Sequence, residues 1–183
     1  SQWVGLCDLL RQSGAEILTQ QPVKGLPDLV FTANAALIYR RQAIISHFRH
    51  PERQREEPYD ETWFEEHGFT VKRAPLGMSF EGAGDALFCG DTLFAGYRIR
   101  SDARGHQQIG AMLDTRVIPL ELVDPYYYHL DTCFCPLSAE EAIYYPGAFD
   151  AYGRDVLEQL VPELISVREK EARRFACNAV VVG

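Results

Sequence analysis

The sequence has 183 residues, 46% of them hydrophobic, which is enough for one domain, or a large part of one, with a real core. Its formal net charge is -8 with Lys and Arg scattered, which argues against nucleic-acid and anionic-membrane partners and favours a small molecule. No apolar run approaches the roughly 18 residues of a membrane span, and no leader-like segment opens the sequence, so we predict a cytoplasmic protein. The five cysteines fit neither a disulfide framework nor a zinc motif.

The first part of the chain predicts alternating helices and strands. Apolar spacing indicates a helix over residues 3–11, followed by a short strand over 15–20. After a loop, a segment rich in β-formers predicts a strand over 29–39 with a hairpin partner at 43–47. Asp60 is predicted to cap a helix that ends at Gly68, and a strand follows over 69–73.

The same order of elements then recurs along the chain. Residues 79–88 and 91–97 predict a hairpin, 102–113 a helix and 116–122 a strand. Residues 128–135 and 142–146 predict a further hairpin, followed by a helix at 149–161, a strand at 164–167 and the start of another hairpin at 174–182. The unit is strand, strand, helix, strand.

Polar residues recur near the start of each unit. Asn34, Glu81, His129 and Asn178 are separated by 47, 48 and 49 residues. A period of this size is typical of radially arranged units whose first strands converge on an axis, although strands in any α+β protein can show such spacings by chance. We therefore predict an α/β propeller of strand-strand-helix-strand units in which these polar ends meet.

The stretch from Tyr126 to Pro136 concentrates groups capable of chemistry. In an extended strand, alternate side chains share a face, which would align His129, Asp131, Cys133 and Cys135. An imidazole beside a carboxylate can act as a general acid and base. The alternative is that these are ordinary packing residues, because free Cys behaves as a small buried hydrophobe.

A set of acidic and polar side chains is predicted to converge on one interior. A guanidinium matches carboxylates in a two-pronged geometry, so the cluster points to a guanidino substrate. Taken singly, each acid could be a solvated group, and residues 82–85 could be only a turn. The set consists of Asn34, Glu81, Asp85, His129 and Asp131, with Asp28 just before the first strand.

Four motifs together resemble a known superfamily. They are F-T-A-N at 31–34, F-E-G-A-G-D-A-L at 80–87, G-Y-R-I-R-S-D at 96–102 and H-L-D-T at 129–132. In this order they resemble the guanidino-modifying superfamily of arginine deiminases, dimethylarginine dimethylaminohydrolases and amidinotransferases. The resemblance implies one domain over 1–183 with a five-bladed α/β propeller fold, incomplete in this chain, lacking the first hairpin and the C-terminal blade portion.

The resemblance also implies roles for individual residues. His129 resembles the general acid/base and Glu81 its partner carboxylate, while Asp131 resembles a second carboxylate that grips the guanidinium. Asn34 stands where arginine deiminases carry Asp, which favours the dimethylarginine-hydrolase-like and arginine-dihydrolase branch. Asp85, in the second motif, joins the substrate-binding set.

Two arginines are predicted to hold the α-carboxylate of the substrate. Arg100 is the first, with Arg98 as its alternative, and Arg53 is the second. For Arg53 the alternative is a solvated residue in the charged run 50–58.

The implied reaction is attack by a Cys thiolate on the guanidinium carbon, followed by hydrolysis of a thiouronium intermediate. It needs neither a metal nor an organic cofactor. The family's nucleophile lies near the C-terminus, so we expect it outside this chain and interpret Cys133, Cys135, Cys89 and Cys177 as core residues. Asn178 is expected to have a structural role.

Three alternatives remain open from sequence. The chain could belong to the dihydrolase or amidinotransferase branch, it could be a non-catalytic module that binds arginine or a related cation, or its ring could be completed by another chain. A homodimer is compatible with the sequence.

Overall fold

Three small sheets of one design form the frame of the molecule, in a computed structural model that describes residues 2–182. In each sheet two strands make an antiparallel hairpin, and a third strand returns through a helix to pair parallel with the second. The sheets are β1 (Ala36–Tyr39), β2 (Gln42–Ile45) and β3 (Thr70–Arg73); β4 (Ala86–Cys89), β5 (Thr92–Tyr97) and β6 (Arg116–Glu121); and β7 (Phe134–Pro136), β8 (Glu141–Tyr144) and β9 (Glu163–Ser166). The predicted strand-strand-helix-strand unit is confirmed three times.

Helices connect the second and third strands of each sheet, and further helices precede β1 and β4 and follow β9. Helix α1 confirms the predicted helix at 3–11. Asp150 caps α6 by accepting a hydrogen bond from the Gly153 backbone N–H. The helices are α1 (Gln2–Gln12), α2 (Pro51–Gln54), α3 (Glu57–Glu66), α4 (Gly82–Asp85), α5 (His106–Leu113), α6 (Ala151–Leu160) and α7 (Glu169–Ala172).

Local backbone chemistry sets the first two hairpins. Each has a two-residue connection, and Gly90 in the second adopts φ 57°. Glycine reaches this left-handed region without a Cβ penalty, which explains the predicted turn at this point. Arg40 occupies the equivalent place in the first hairpin with φ 56°.

The main core lies between the second and third sheets. Leu120, Leu130, Phe134 and Leu157 are among its fully buried members. Burying each such side chain contributes on the order of 2 kcal/mol, so the two sheets are held as one unit.

The segments predicted as long first strands are each interrupted by a helical turn. The turns are Thr32–Asn34, α4 and Leu130–Thr132, and a strand begins only after each of them. In the third, the Thr132 hydroxyl donates to the His129 carbonyl at 2.6 Å, which competes with extended pairing. The predicted strands over 29–39, 79–88 and 128–135 are therefore wrong in their first halves, and so is the predicted alignment of His129, Asp131, Cys133 and Cys135 on one strand face.

Three other predictions of local structure are wrong. Residues 15–20 lack strand pairing, and the described part of 174–182 forms turns and irregular structure after α7. Asp60 does not cap α3, which begins at Glu57 with Pro58 in its first turn. Asp60 is instead buried within the helix and accepts a hydrogen bond from the Gln20 amide at 3.1 Å.

The strand positions refine the repeat. Glu81 and His129 both stand five residues before the first strand of their sheets, directly ahead of a helical turn. Asn34 stands two residues before β1, a position that corresponds to Gly84 in the second sheet. Asn34, Glu81 and His129 converge as predicted, although Asn34 comes from a different position of its unit, whereas the Asn178 side chain contacts the Asp131 carbonyl instead.

Within residues 2–182, no helix combines the length and apolar character needed to cross a membrane.

Candidate active site

A buried carboxylate–imidazole pair forms the centre of the site. The Nε2 atom of His129 lies 2.7 Å from Oε2 of Glu81, and the two residues are 4% and 0% exposed. The Ser101 hydroxyl oxygen accepts the Glu81 backbone N–H at 3.0 Å, and the Arg49 backbone N–H donates to Oε1 of Glu81 at 3.2 Å. Glu81 is therefore held by contacts from the segments that follow β5 and β2.

Glu81 is kept ionised despite its burial. Desolvation acts to raise the pKa of Glu81, but the hydrogen bond and charge of His129 and then the charge of Arg100 outweigh it, so the net pKa is lowered. A carboxylate that stays charged in a dry site attracts a cation strongly.

Asn34 and Arg53 extend the pair on the Nδ1 side of the ring. Nδ2 of Asn34 lies 3.5 Å from Nδ1 of His129, and Nη1 of Arg53 donates to Oδ1 of Asn34 at 3.0 Å. Arg53 is 7% exposed, on α2, and pairs with Glu56 at 2.8 Å. The alternative of a solvated Arg53 is wrong because aromatic rings and Glu56 enclose its guanidinium.

Arg100 reaches the same carboxylate from the open side. Its Nη1 donates to Oε2 of Glu81 at 3.2 Å, and its guanidinium lies over the Tyr128 ring, 5.0 Å from the centroid. Arg98, the alternative for this place, is more exposed and pairs with Glu121 instead. The structure brings Arg100, and not Arg98, to the cluster.

Asp85 lies next to the site and is almost completely shielded from solvent. It is 1% exposed, and its two oxygens accept the Ser101 hydroxyl at 2.6 Å and the Leu130 backbone N–H at 3.1 Å. Burial raises the pKa of Asp85 to about 6. These contacts fix the backbone next to His129, and the substrate-binding role of Asp85 stays a prediction.

Asp131 and Asp28 stand apart from the hydrogen-bonded centre. Burial raises the pKa of Asp131 to about 6, with the charge of His129 opposing the shift. Asp131 lines a cavity of about 180 Å³ together with Cys135 and Cys177. Asp28 contributes its backbone carbonyl, which accepts from Nη2 of Arg53 at 3.1 Å.

The cysteines are buried, as their interpretation as packing residues requires. All five are buried. Burial raises the pKa of Cys133 well above its usual value and that of Cys177 to about 12. Cys133 donates to the Leu130 carbonyl at 3.4 Å, so it faces its own turn. The Asn178 side chain donates to the Asp131 carbonyl at 3.2 Å, a structural contact.

Sequence reasoning missed Glu56, Ser101 and Tyr128. Ser101 belongs to the quoted motif at 96–102 and could have been included on that ground. Glu56 stands in a charged run, and Tyr128 in a run of three tyrosines, where no sequence signal separates a buried group from a solvated one.

The described residues contain no cluster of three or more His, Cys, Asp or Glu side chains arranged to hold a metal ion. A cavity of about 550 Å³ lies between α1 and residues 17–32, away from His129. Its lining is largely apolar and offers no acid–base pair, so we place the functional site at the Glu81–His129 cluster.

Comparison with known proteins identifies the family. The model of the eukaryotic N,N-dimethylarginine dimethylhydrolase family matches residues 1–183. The chain belongs to this family. It is 50% identical over 185 residues to the bifunctional arginine dihydrolase/ornithine cyclodeaminase ArgZ of Synechocystis, and 37% identical over 183 residues to the dimethylarginine dimethylaminohydrolase of Mycobacterium tuberculosis.

Solved structures agree with this membership. The N-terminal domain of ArgZ, in a Cys-to-Ser variant bound to substrate, matches with a TM-score of 0.96 and 50% identity over 100% of this chain and 68% of that one. A dimethylarginine dimethylaminohydrolase adduct matches in fold, with a TM-score of 0.84 at 22% identity over 99% of this chain and 69% of that one.

The chain is shorter than its curated relatives. The alignments take in 99% of this chain but 26% of ArgZ, and 100% of this chain but 60% of the mycobacterial enzyme.

Proposed function

We propose that this chain supplies the acid–base and substrate-binding part of a hydrolase that acts on the guanidinium carbon of arginine or a methylated arginine. The observation that carries the proposal is the buried Glu81–His129 pair at 2.7 Å, with Asn34 on the second ring nitrogen. The ionised Glu81 offers a guanidinium nitrogen a charged acceptor where water is excluded.

His129 has the place of the general acid and base. A Cys thiolate, expected from residues outside this chain, attacks the guanidinium carbon and forms a thiouronium intermediate. His129 takes up the proton that the thiol gives up, passes it to the departing amine, and then takes one from the water that hydrolyses the intermediate. Glu81 and Asp131 balance the positive charge of the bound guanidinium, and the scheme needs no metal and no organic cofactor.

Two arginines bind the substrate's α-carboxylate. Arg100 occupies Oε2 of Glu81 in the free protein, so an incoming guanidinium takes over that contact and releases Arg100 to bind the carboxylate. Arg53 directs one Nη1 hydrogen to Asn34 and has a second on the same atom for a carboxylate oxygen. Asn34 completes the substrate-binding set, and Asp85 holds the turn that carries His129.

Arginine is the favoured substrate. The relatives at 50% and 48% identity are bifunctional arginine dihydrolases, and related structures hold substrate or L-arginine. Dimethylarginine is the second candidate, supported by the matching family model and the mycobacterial enzyme. An amidinotransferase reaction is a third candidate, and a non-catalytic guanidine-binding module is the outcome that the experiment below separates from catalysis.

The wider architecture is also part of the proposal. We place the three sheets as blades of a five-bladed propeller domain spanning 1–183 and residues beyond it, on the strength of the repeated unit and the 0.84 TM-score to a dimethylarginine dimethylaminohydrolase. Cytoplasmic location and a homodimer remain predictions from sequence.

The test uses the full-length protein that contains this chain. Ammonia, ornithine, citrulline and dimethylamine are measured after incubation with arginine or dimethylarginine, for the native protein and for His129→Ala and His50→Ala. Ammonia with ornithine identifies a dihydrolase, ammonia with citrulline a deiminase, and dimethylamine with citrulline a dimethylarginine hydrolase. His50 is exposed, so its variant controls for loss of an imidazole as such.

We expect loss of turnover in His129→Ala alone, by roughly 100-fold or more. Turnover retained by a folded His129→Ala variant would refute the mechanism. Arginine binding without any product from the native protein would instead support the non-catalytic module.

A further inference from the structure

Five buried side chains form one line through the site. From the outside inward they are Glu56, Arg53, Asn34, His129 and Glu81, each 7% exposed or less. Arg53 meets Glu56 through Nε at 3.1 Å and Nη2 at 2.8 Å. The line continues to Asn34 and the imidazole, so Glu56 is connected to the acid–base group without touching it.

The donors along this line fix its hydrogen-bond direction. A guanidinium only donates, so the Asn34 atom that faces Arg53 is the oxygen. The NH₂ group of Asn34 then faces Nδ1 of His129, which must carry a lone pair at that atom. In a neutral ring this arrangement leaves the proton for Nε2, which lies 2.7 Å from Oε2 of Glu81.

Glu56 keeps Arg53 in this orientation. A buried guanidinium requires a partner charge and hydrogen-bond acceptors. Glu56, 2% exposed, provides the charge and accepts from Nε and Nη2 of Arg53, and the guanidinium carbon of Arg53 lies 4.2 Å from the centroid of the Phe48 ring. Together they restrict rotation of Arg53 and with it the choice of Asn34 orientation.

We propose that Glu56 and Arg53 are positioning residues which, through Asn34, hold neutral His129 in the tautomer with its proton on Nε2. Nδ1 is then the ring nitrogen with a free lone pair, and the 3.5 Å contact to Asn34 is long enough to be given up when a proton is transferred there. The inference rests on the proposed function where it uses His129 as the acid–base group. The tautomer itself does not depend on turnover and can be measured without it.

The test is ¹⁵N NMR of the histidine side chains in the full-length protein at a pH where His129 is neutral, with its signals assigned by their loss in His129→Ala. The native protein is expected to show a protonated Nε2 and an unprotonated Nδ1. In Arg53→Met, which keeps bulk but cannot donate, the Asn34 amide is free to turn, and both tautomers are expected. Glu56→Gln is expected to give a smaller change of the same kind.

Glu65→Gln is the matched control, because Glu65 is exposed and lies on α3, whose N-cap residue is Glu56. Its spectrum and kinetics should equal those of the native protein. In Glu56→Gln, kcat is expected to fall roughly 10-fold with little change in KM, since general acid–base catalysis of this kind contributes on the order of 100-fold or more.

Unchanged His129 signals in folded Arg53→Met, with only a raised KM, would show that Arg53 acts solely on the substrate and would overturn the proposal. If Arg53→Met does not fold, an unchanged spectrum of Glu56→Gln overturns it equally. A native protein without activity that still shows the Nε2 proton and its loss in the variants would refute the proposed function and leave this inference standing.

Discussion

Two buried carboxyl groups near His129, those of Glu81 and Asp85, differ in pKa because their partners differ. Glu81 touches an imidazole and a guanidinium, and its pKa is lowered. Asp85 is met by a hydroxyl and a backbone N–H, and burial raises its pKa to about 6. The same residue class thus divides into a group whose pKa is lowered by cationic partners and a group whose pKa is raised by burial.

Tyr128 contacts Arg100, and its contribution to substrate binding can be measured. Its ring lies under the Arg100 guanidinium and 4.9 Å from the His129 ring. A cation over an exposed ring is stabilised by about 0.5–1 kcal/mol, so Tyr128→Leu should raise KM for arginine about 2- to 5-fold. Tyr128→Phe, which keeps the ring face, should leave KM near the native value.

Steady-state kinetics of the full-length protein decides this prediction. Tyr126→Leu serves as control, because Tyr126 stacks on Phe175 rather than on Arg100. An equal rise in KM for the Phe and Leu variants would assign the effect to the hydroxyl and contradict the ring contact.

At the scale of elements, the short helical turns that precede β1, β4 and β7 position the side chains of the site. The turn before β4 packs so closely that a Cβ on Gly84 would stand 2.1 Å from Nδ2 of Asn34 and 3.5 Å from Cγ of His129. Glycine at this point is therefore a requirement of the close approach between the first and second units, and not of the turn alone.

Gly84→Ala should damage activity more than stability. The added methyl group displaces Asn34 from His129, and a shift of about 1 Å can cost on the order of 100-fold in rate. We expect kcat to fall at least about 10-fold while the free energy of unfolding falls by about 1–3 kcal/mol.

Activity assays and thermal unfolding measure the two effects. Gly5→Ala is the control, since a Cβ there meets nothing within 4 Å and alanine favours helix α1 by about 0.5–1 kcal/mol. Native activity in Gly84→Ala would show that Asn34 is not held where the structure has it.

At the scale of the whole molecule, His106 makes stability depend on pH. It is 4% exposed, and neither ring nitrogen has a hydrogen-bond partner among the described residues. Burial lowers the pKa of His106 to about 4, with the charge of Asp102 opposing the shift. Between about pH 6.5 and 4 the unfolded chain takes up a proton that the folded one refuses, so stability falls as pH falls through this window.

His106→Leu should remove this loss. Relative to the native protein, the variant is expected to gain up to about 3 kcal/mol of unfolding free energy between pH 6.5 and 4, measured by urea denaturation. His50→Ala, at an exposed position, should follow the native curve. A difference between His106→Leu and native protein that is constant with pH would contradict a depressed pKa and point to packing alone.

Much of this fold follows from local sequence. Two-residue turns at 40–41 and 90–91, the glycine at 90 and the helical apolar spacing fix the repeated unit. The helical turns ahead of the first strands were missed because their residues also favour strands. Only side-chain bonds such as Thr132 to the His129 carbonyl decide the outcome.

The candidate site was predictable in part. The motifs and the period brought out Glu81, His129, Asn34 and Arg100, which the structure gathers at hydrogen-bond distance. The sequence could not show that Asp85 is enclosed, or that Glu56 leaves the charged run to pair with Arg53. Both facts depend on which side of a turn or helix faces the core.

The sequence by itself determined the unit, its repetition and the residue types that converge, because turn chemistry and hydrophobic periodicity are local properties. The tertiary structure alone decided which carboxyl group has a lowered pKa and which arginine reaches Glu81. It also decided that the Asn34 amide, held by Arg53, faces Nδ1 of His129. These depend on burial and on partners 16 to 95 residues away in the chain, and no local pattern encodes such contacts.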